Sequence, residues 1–257
     1  MRFSIITATY NAETCIERTI QSVLNQNSTN YEYIFIDGAS VDNTNMIIDQ
    51  YSAILNEKGI QVKHVSEPDN GISDAFAKGV NYAQGEIVVI LNAGDKMLPD
   101  TLSYVDSHFS AEYDVLYGNI IWHDEKRELE YIKKSKSPEH LDELKYTMVI
   151  KHPATYIKKK AYVKYGNYDA TFKYAMDTDL LLRMYLQGAK FKYIDREFTY
   201  FEAGGVSDSN LTKILMESKR IAISAGEKNL VIKYKLARKY IHHKLAHFVR
   251  YYFMKNR

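Results

Sequence analysis

A single cysteine, Cys15, stands in 257 residues, so no internal disulfide can form and the chain suits a reducing compartment. No apolar run approaches the roughly 18 residues that a membrane-crossing helix requires. Met1-Arg2-Phe3-Ser4 leads straight into a strand pattern, so no secretory signal is expected and the expected location is the cytoplasm. A formal net charge of +2 gives no general basic field, and nucleic acid is not an expected partner. Internal repeats and low-complexity linkers are absent. So are the Gly-x-Gly-x-x-Gly turn of dinucleotide-binding proteins and the P-loop, which disfavours dehydrogenases and NTPases.

What is present first is alternation. Residues 2–7, 31–36, 61–66 and 86–91 read as strands. Helical spacing of apolar residues follows the first three, at 13–25, 42–54 and 72–84. Alternation of this kind predicts an α/β fold with a mostly parallel, Rossmann-like sheet, right-handed crossovers and flanking helices. Beyond residue 100 it fades. A strand is expected at 114–122 with a hairpin partner at 127–134, and another strand at 151–157. A helix follows it and stops at Gly166-Asn167, and a second spans 177–187, closed by Gly188. Two short strands, 190–194 and 197–201, a glycine loop at 203–207 and two helices complete the chain. The expected division is a catalytic domain at 1–207, with a nucleotide-binding half at 1–95 and an acceptor-binding half at 96–207. Basic helices at 208–257 form an extension.

The stretch on which this scheme turns is Glu86-Ile87-Val88-Val89-Ile90-Leu91-Asn92-Ala93-Gly94-Asp95. Its consecutive apolar residues predict a strand buried on both faces. It ends in small residues and a carboxylate at the carboxyl edge of the sheet, where open α/β sheets bind ligands. Gly94 permits close approach, and Asp95 offers a hard oxygen to a divalent cation. A plain strand-ending turn accounts for the same residues equally well. Tyr10, Asn11, Asp37, Asp69 and Asn92 sit at loop ends on the same predicted edge, which argues for a nucleotide-sized site.

Several of these runs are familiar as a set. Ser4-Ile5-Ile6-Thr7-Ala8-Thr9-Tyr10-Asn11 and Ile36-Asp37-Gly38-Ala39-Ser40-Val41-Asp42-Asn43-Thr44 resemble the start of family 2 glycosyltransferases of the GT-A fold. Ser66-Glu67-Pro68-Asp69-Asn70-Gly71-Ile72-Ser73-Asp74-Ala75-Phe76, with Lys78-Gly79, resembles the branch that builds bacterial surface polysaccharide such as O-antigen or capsule. Ala175-Met176-Asp177-Thr178-Asp179-Leu180-Leu181-Leu182-Arg183 is similar to that family's catalytic helix start, and Gly204-Gly205-Val206-Ser207 to its late glycine loop.

The resemblance implies transfer of a sugar from a nucleotide-sugar donor with inversion at the anomeric carbon. It implies Tyr10 and Asp37 at the base, with Asp37 accepting an imide N–H if the base is uracil. Asp69 and Lys78 fall near the ribose and diphosphate. Thr7, Asn11, Asn92, Ala93 and Gly94 are further candidates at the nucleotide sugar, though Thr7 and Asn11 serve turn geometry as readily. Asp95 takes the place of the metal-binding aspartate, with Mn²⁺ or Mg²⁺ as the implied cofactor. Asn92 and Gly94 stand where other members carry aspartates, so metal affinity is expected to be weakened.

Displacement at an anomeric carbon needs a base for the attacking hydroxyl and positive charge at the departing diphosphate. Asp177 and Asp179 are the candidates for the base. Two residues apart on a helix, they point to different sides. Asp179 stands four before Arg183, the favourable order for an ion pair. Asp177 has no such partner and aligns with the family's base; its plain alternative is a helix cap. His152 is open between supporting the base, touching donor phosphate or acceptor, and a structural role. Arg183 is open between the pair with Asp179 and a phosphate.

From residue 228 to 257 there are nine Lys or Arg and no acidic residue. Apolar residues recur there at helical steps from Leu230 to Phe253. An inner-leaflet contact that reaches a lipid-linked acceptor and a helix packed on the protein fit equally well. Nucleotidyl transfer is a competing activity, but the first loop, Thr7-Ala8-Thr9-Tyr10-Asn11, lacks the glycine-rich basic character it needs. A degenerate domain that binds nucleotide or glycan without turnover is the other alternative. The sugar, the acceptor and the linkage are not written in any motif.

Overall fold

The computed structural model describes residues 1–204 and 210–255, the side chains of 126, 242–244 and 246–255 excepted. Gly205, Val206 and Ser207 of the expected glycine loop lie outside the described residues. The first half follows the expected alternation: β1 (Phe3–Thr9), α1 (Ile16–Leu24), β2 (Tyr31–Asp37), α2 (Thr44–Glu57), β3 (Gln61–Ser66), α3 (Ile72–Tyr82) and β4 (Ile87–Ile90). Then come β5 (Lys96–Met97), α4 (Thr101–His108), β6 (Val115–Asp124), β7 (Leu129–Lys133), β8 (Thr155–Lys158), α5 (Lys159–Tyr165), α6 (Met176–Leu186), β9 (Phe191–Glu202), α7 (Leu211–Ser224) and α8 (Asn229–Lys255).

Alternating side chains send the strands' apolar residues to two cores. Phe3, Ile5, Tyr33, Phe35 and Val89 pack on Ile16, Ile20 and Val23 of α1 and Ile48 and Leu55 of α2. Ile6, Ile34, Ile36, Val88 and Ile90 pack on Ala75, Phe76 and Val80 of α3. Both faces of the sheet are therefore covered, and β4 is apolar throughout because it has no solvent side.

The sheet runs β3-β2-β1-β4-β8-β6-β9-β5, with β7 on the side of β6. Parallel pairing holds across β3-β2-β1-β4 and again between β6 and β9. The pairs β4–β8, β6–β8, β6–β7 and β5–β9 are antiparallel.

Two expected elements differ. The strand at 151–157 is shorter, because His152–Ala154 forms a 3₁₀ turn and only Thr155–Lys158 is strand. Pro153 has no N–H for a ladder and fixes the turn. The two short strands after residue 190 are one, β9. Its register against β6 jumps between Tyr117–Tyr193 and Asn119–Glu197, so the polar Asp195-Arg196 is a bulge within the strand. The short helix α4 and a 3₁₀ segment at Pro138–Lys145 were not expected from the periodicity.

The C-terminal helices α7 and α8 pack against each other, and α7 also against the 3₁₀ segment at 138–145. Ile232 of α8 is buried, while Leu230, Ile241 and Leu245 are exposed. Lys145 pairs with Glu227 just before α8 at 2.9 Å. Among the described residues no helix is long and apolar enough to cross a membrane.

At the amino edge, opposite the loop ends, one buried carboxylate joins three segments. Glu32 Oε1 accepts from Ser4 Oγ at 2.5 Å, Gln84 N at 2.6 Å and Gly85 N at 3.1 Å. Removing a buried charged acceptor strands its donors. Glu32→Ala should therefore lower unfolding free energy by about 2–4 kcal/mol in urea denaturation. The loops at the opposite edge should keep their arrangement, because Glu32 lies at the far edge of the sheet.

Candidate active site

Parallel strands deliver all their carboxyl ends to one edge, so the loops after β1, β2, β3 and β4 gather there. β8 runs antiparallel to β4, with Val89 opposite Tyr156, so the residues that enter β8 arrive at the same edge. His152 is among them. The Pro153 carbonyl accepts Thr199 Oγ1 at 2.7 Å, and three residues on, Glu202 N donates to Asp95 Oδ1 at 3.1 Å. The last turn of β9 thus ties the loop after β4 to the segment before β8.

The loops after β1, β2 and β3 make the first part of the site. Tyr10 is 68% exposed, a free aromatic face at the edge. A Cβ on Gly38 would stand 2.9 Å from Asp69 Oδ2 and 3.4 Å from the Tyr10 ring, so only glycine lets these two close on each other. Asp69 Oδ1 meanwhile accepts Gly71 N at 2.8 Å. Asn11 adopts a positive φ of 48°, and its Oδ1 accepts Val41 N at 3.0 Å, which locks the β1 exit to the β2 exit. Its role in the structure is turn geometry.

Two expectations are corrected here. Thr7 is fully buried, its hydroxyl 3.1 Å from Tyr33 Oη inside the core, so it does not reach the edge. Asp37 is fully buried as well, and its acceptor capacity is spent on its own loops. Thr9 Oγ1, Ser40 N, Ser40 Oγ, Asn45 Nδ2 and Ser66 Oγ donate to it at 3.0, 2.9, 2.5, 3.1 and 2.7 Å. Burial works against its ionisation. The bonds from Ser40, Ser66 and Asn45 outweigh burial and hold the carboxyl below its ordinary range. Five donors on two oxygens leave nothing for an imide N–H, so Asp37 organises the loops instead. Lys78 is likewise engaged, 2.7 Å from Glu67 and 3.4 Å from Asp74, and braces the β3 exit.

The loop after β4 forms the second part. Gly94, at φ 100°, turns the chain so that its N–H reaches Thr19 Oγ1 of α1 at 2.8 Å. Asp95 is only 3% exposed, and burial pushes its carboxyl up to about 7 against the lowering effect of Glu202 N, Asn92 and Arg18. Asn92 Nδ2 lies 3.4 Å from Asp95 Oδ2, while Asn92 Oδ1 is buried with no partner. Ala93, partly buried, packs on the α1/α2 side. Among the described residues no three His, Cys, Asp or Glu side chains converge as a metal cluster. A carboxylate beside an orphaned carbonyl oxygen is nevertheless a hard-oxygen pair, and it fits a divalent cation whose remaining ligands come from phosphate and water. Sequence reasoning missed three neighbours of this loop: Arg18, Glu202 and His123, the last 2.9 Å from Glu202.

The third part surrounds Asp177. His152 is 8% exposed, stacks on Phe76 with ring centroids 5.7 Å apart and shares a 2.8 Å hydrogen bond between Nε2 and Tyr168 Oη. Burial lowers its pKa while the charge on Asp177 opposes that, so the imidazole is neutral at neutral pH. Asp177 Oδ1 accepts Thr178 N at 2.7 Å; the helix cap position itself is Ala175. Lys239 of α8 also feels Asp177, and its Nζ donates to the Tyr146 carbonyl at 3.2 Å. Asp179 points the other way. It meets Arg183 Nε at 2.8 Å, and the Arg183 Nη atoms donate to the Tyr165 and Asn167 carbonyls at 3.0 and 2.8 Å. Every arm of Arg183 is thereby used within the scaffold.

The start of α6 is held from outside. Glu217 of α7 accepts the amides of Lys173, Tyr174 and Ala175 at 2.8, 2.9 and 2.8 Å, which fixes the segment that leads into α6. No sequence spacing links residue 217 to residues 173–175.

This architecture defines the class: a helix-flanked α/β fold with its candidate site on the carboxyl edge of the sheet. The Glycosyl transferase family 2 model matches residues 4–176, and the chain belongs to that family and is a glycosyltransferase. A PGL/p-HBAD biosynthesis glycosyltransferase of Mycobacterium bovis is 25% identical over 237 residues, which cover 90% of this chain and 88% of that protein. TuaG of Bacillus subtilis, named for teichuronic acid biosynthesis, is 38% identical over 99 residues, or 38% of each chain. Two solved structures share the fold. TarS of S. aureus superposes with a TM-score of 0.64 at 20% identity, covering 91% of this chain and 41% of its own, and has also been solved with UDP-GlcNAc. The mannosyltransferase PcManGT of Pyrobaculum calidifontis, in complex with GDP-Man and Mn²⁺, gives 0.68 at 15% identity, covering 93% of this chain and 68% of that one.

The raised Asp95 pKa has a thermodynamic consequence. A folded value of about 7 against about 3.9 in the unfolded chain favours the protonated acid in the fold. That contribution is fully present below pH ~4 and is lost as pH rises through ~7. Asp95→Asn, a neutral mimic, should gain stability over the parent across that window, by up to about 4 kcal/mol. Calorimetry at pH 4 and pH 8 reads the gap, and added Mn²⁺ should narrow it at pH 8 by stabilising the parent alone. Equal melting curves at both pH values would refute the reading.

Loss of the amide acceptor at α6 is tested separately. Glu217→Ala should cost about 2–4 kcal/mol, and Glu217→Gln, which keeps a carbonyl oxygen, should recover part of that in the same denaturation assay.

Proposed function

We propose that this glycosyltransferase inverts the anomeric centre. It moves a sugar from a UDP-sugar to a hydroxyl of a glycan or lipid-linked acceptor during assembly of bacterial surface polysaccharide. The observation that carries the reading is the division of labour at the start of α6. Asp179 is consumed by Arg183, while the charge of Asp177 is felt by Lys239 and by His152, which leads into β8 from the edge where β4 releases Asp95. Surface polymers are supported by the resemblance carried by residues 66–79 and by the name of TuaG. The nucleotidyltransferase alternative gives way to the family membership.

In the mechanism this supports, Asp177 takes the proton of the acceptor hydroxyl as its oxygen bonds to the anomeric carbon. The bond from that carbon to the donor's diphosphate oxygen breaks on the opposite face, and the electron pair leaves with the nucleoside diphosphate. His152, neutral and held by Tyr168 and Phe76, shapes the wall beside Asp177. Tyr10 and Asp69, both close to the space that Gly38 leaves, would hold the base and ribose. A divalent cation, when bound, supplies positive charge to the departing diphosphate, and Asp95 with the Asn92 carbonyl are the residues that would hold it. TarS is solved with UDP-GlcNAc and PcManGT with GDP-Man, so the donor base is the first thing to measure.

A thermal-shift screen over nucleotide sugars, with and without Mn²⁺, identifies the donor, and release of the nucleoside diphosphate then reports turnover. Asp177→Asn should fold normally and bind the nucleotide as the parent does, yet lose about 10²–10⁴-fold in turnover, the usual contribution of a general base. Undiminished turnover would remove Asp177 from this role. A parent enzyme that binds nucleotide sugar with no hydrolysis or transfer would instead favour the non-catalytic binding domain.

A further inference from the structure

Arg18 projects from the first turns of α1 against the loop after β4. It is half-buried, and its Nε is wholly buried with no partner. Among the described residues the guanidinium makes no hydrogen bond and no ion pair within 4.0 Å, although Arg18 carries five N–H donors. Other arginines of the chain that are turned inward behave differently. Arg183, for example, places all three nitrogens on acceptors. Leaving a buried donor unmade costs about 1–3 kcal/mol, and more for a charged group. A folded protein that keeps such a group at its site is holding it for something that arrives.

The neighbourhood says what arrives. The loop is pinned to α1 by Gly94 N to Thr19 Oγ1 at 2.8 Å and Met97 N to Ser22 Oγ at 2.9 Å, so Arg18 has a fixed place over it. Arg18 Nη2 lies 3.4 Å from where a Cβ on Gly94 would sit. A longer side chain there would crowd that space. Gly94 therefore leaves room beside the loop, and a positive group occupies it. Asn92 Oδ1, a second buried atom without a partner, belongs to the same loop. One orphan wants an acceptor and the other a donor or cation.

We propose that Arg18 is a donor-binding residue that grips the diphosphate of the nucleotide sugar and supplies positive charge to it directly from the protein. The inference rests on the nucleotide-sugar reading given above. A guanidinium matches phosphate with two parallel N–H···O bonds, and its charge is indifferent to pH in the working range.

Isothermal titration of UDP, GDP, uridine and inorganic pyrophosphate into the parent, Arg18→Ala and Arg18→Lys, each in EDTA and in Mn²⁺, tests it. Arg18→Ala should weaken pyrophosphate and the bound nucleoside diphosphate at least tenfold in EDTA and leave uridine unchanged. Arg18→Lys, a point charge without the fork, should fall between. Melting temperature separates a ligand role from a structural one: Arg18→Ala should melt close to the parent, since no hydrogen bond or ion pair to the described residues is lost. Unchanged diphosphate affinity in Arg18→Ala, or an equal loss for uridine, overturns the proposal. If the parent binds pyrophosphate through Arg18 but no nucleotide, the anion site stands and the nucleotide-sugar reading fails. If the parent binds neither, both fail.

Discussion

The arrangement depends on the two-sided pairing of β4. On one side it runs parallel to β1, with Ile90 beside Ile6, so it releases Asn92 to Asp95 towards the edge from which the loops after β1 and β2 also leave. On the other side it runs antiparallel to β8, which therefore starts at that same edge and brings His152 with it. A wholly parallel sheet would have sent the start of β8 to the far side. One change of strand direction thus joins a segment some sixty residues downstream to the loop after β4. The strand can serve as this pivot because Ile87, Val88, Val89 and Ile90 are apolar on both faces, so both of its sides are covered and both of its edges are paired.

Periodicity and strand ends were legible in the sequence because they are local. The run 86–95 announced its burial by composition, and the i, i+4 spacing of Asp179 and Arg183 announced their pair. The structure differs wherever a long-range partner decides. Asp37 reads as a ligand residue at a strand end, yet hydroxyls from three separate segments, Thr9, Ser40 and Ser66, saturate it. Thr7 lies one step too far inside the strand. Asp195-Arg196 looks like a break and is a bulge, since parallel pairing with β6 resumes after it. Arg18 sits on a helix whose apolar face, Ile16, Ile20 and Val23, is obvious. Only the fold shows what its flank faces.

The C-terminal helices belong to the same argument. Composition suggested a basic amphipathic extension, with the membrane and the protein as equal candidates for its apolar side. Part of it is spent on the protein: Glu217 of α7 takes three amides before α6, Ile232 of α8 is buried, and Lys239 reaches the surroundings of Asp177. The base candidate is therefore oriented by groups that lie beyond the stretch the family model covers, residues 4–176. A helix start with no cap of its own gives an outside carboxylate room to set its direction.

Hydrogen-bond satisfaction separates scaffold from chemistry on this edge more sharply than residue type does. Asp37, Asp179, Arg183 and Lys78 are ionic, close to the site and fully engaged, so each is a brace. Asp95 carries a carboxyl that burial holds reluctant to ionise, Asn92 an oxygen without a donor and Arg18 a guanidinium without an acceptor. A protein that folded for stability alone would replace such groups with apolar ones. Their joint presence in one loop and its supporting helix fits the proposal above, in which a metal-bound diphosphate brings negative oxygens to Arg18 and positive charge to Asp95 and Asn92. The same unmet bonding that weakens the empty fold is what makes binding there favourable.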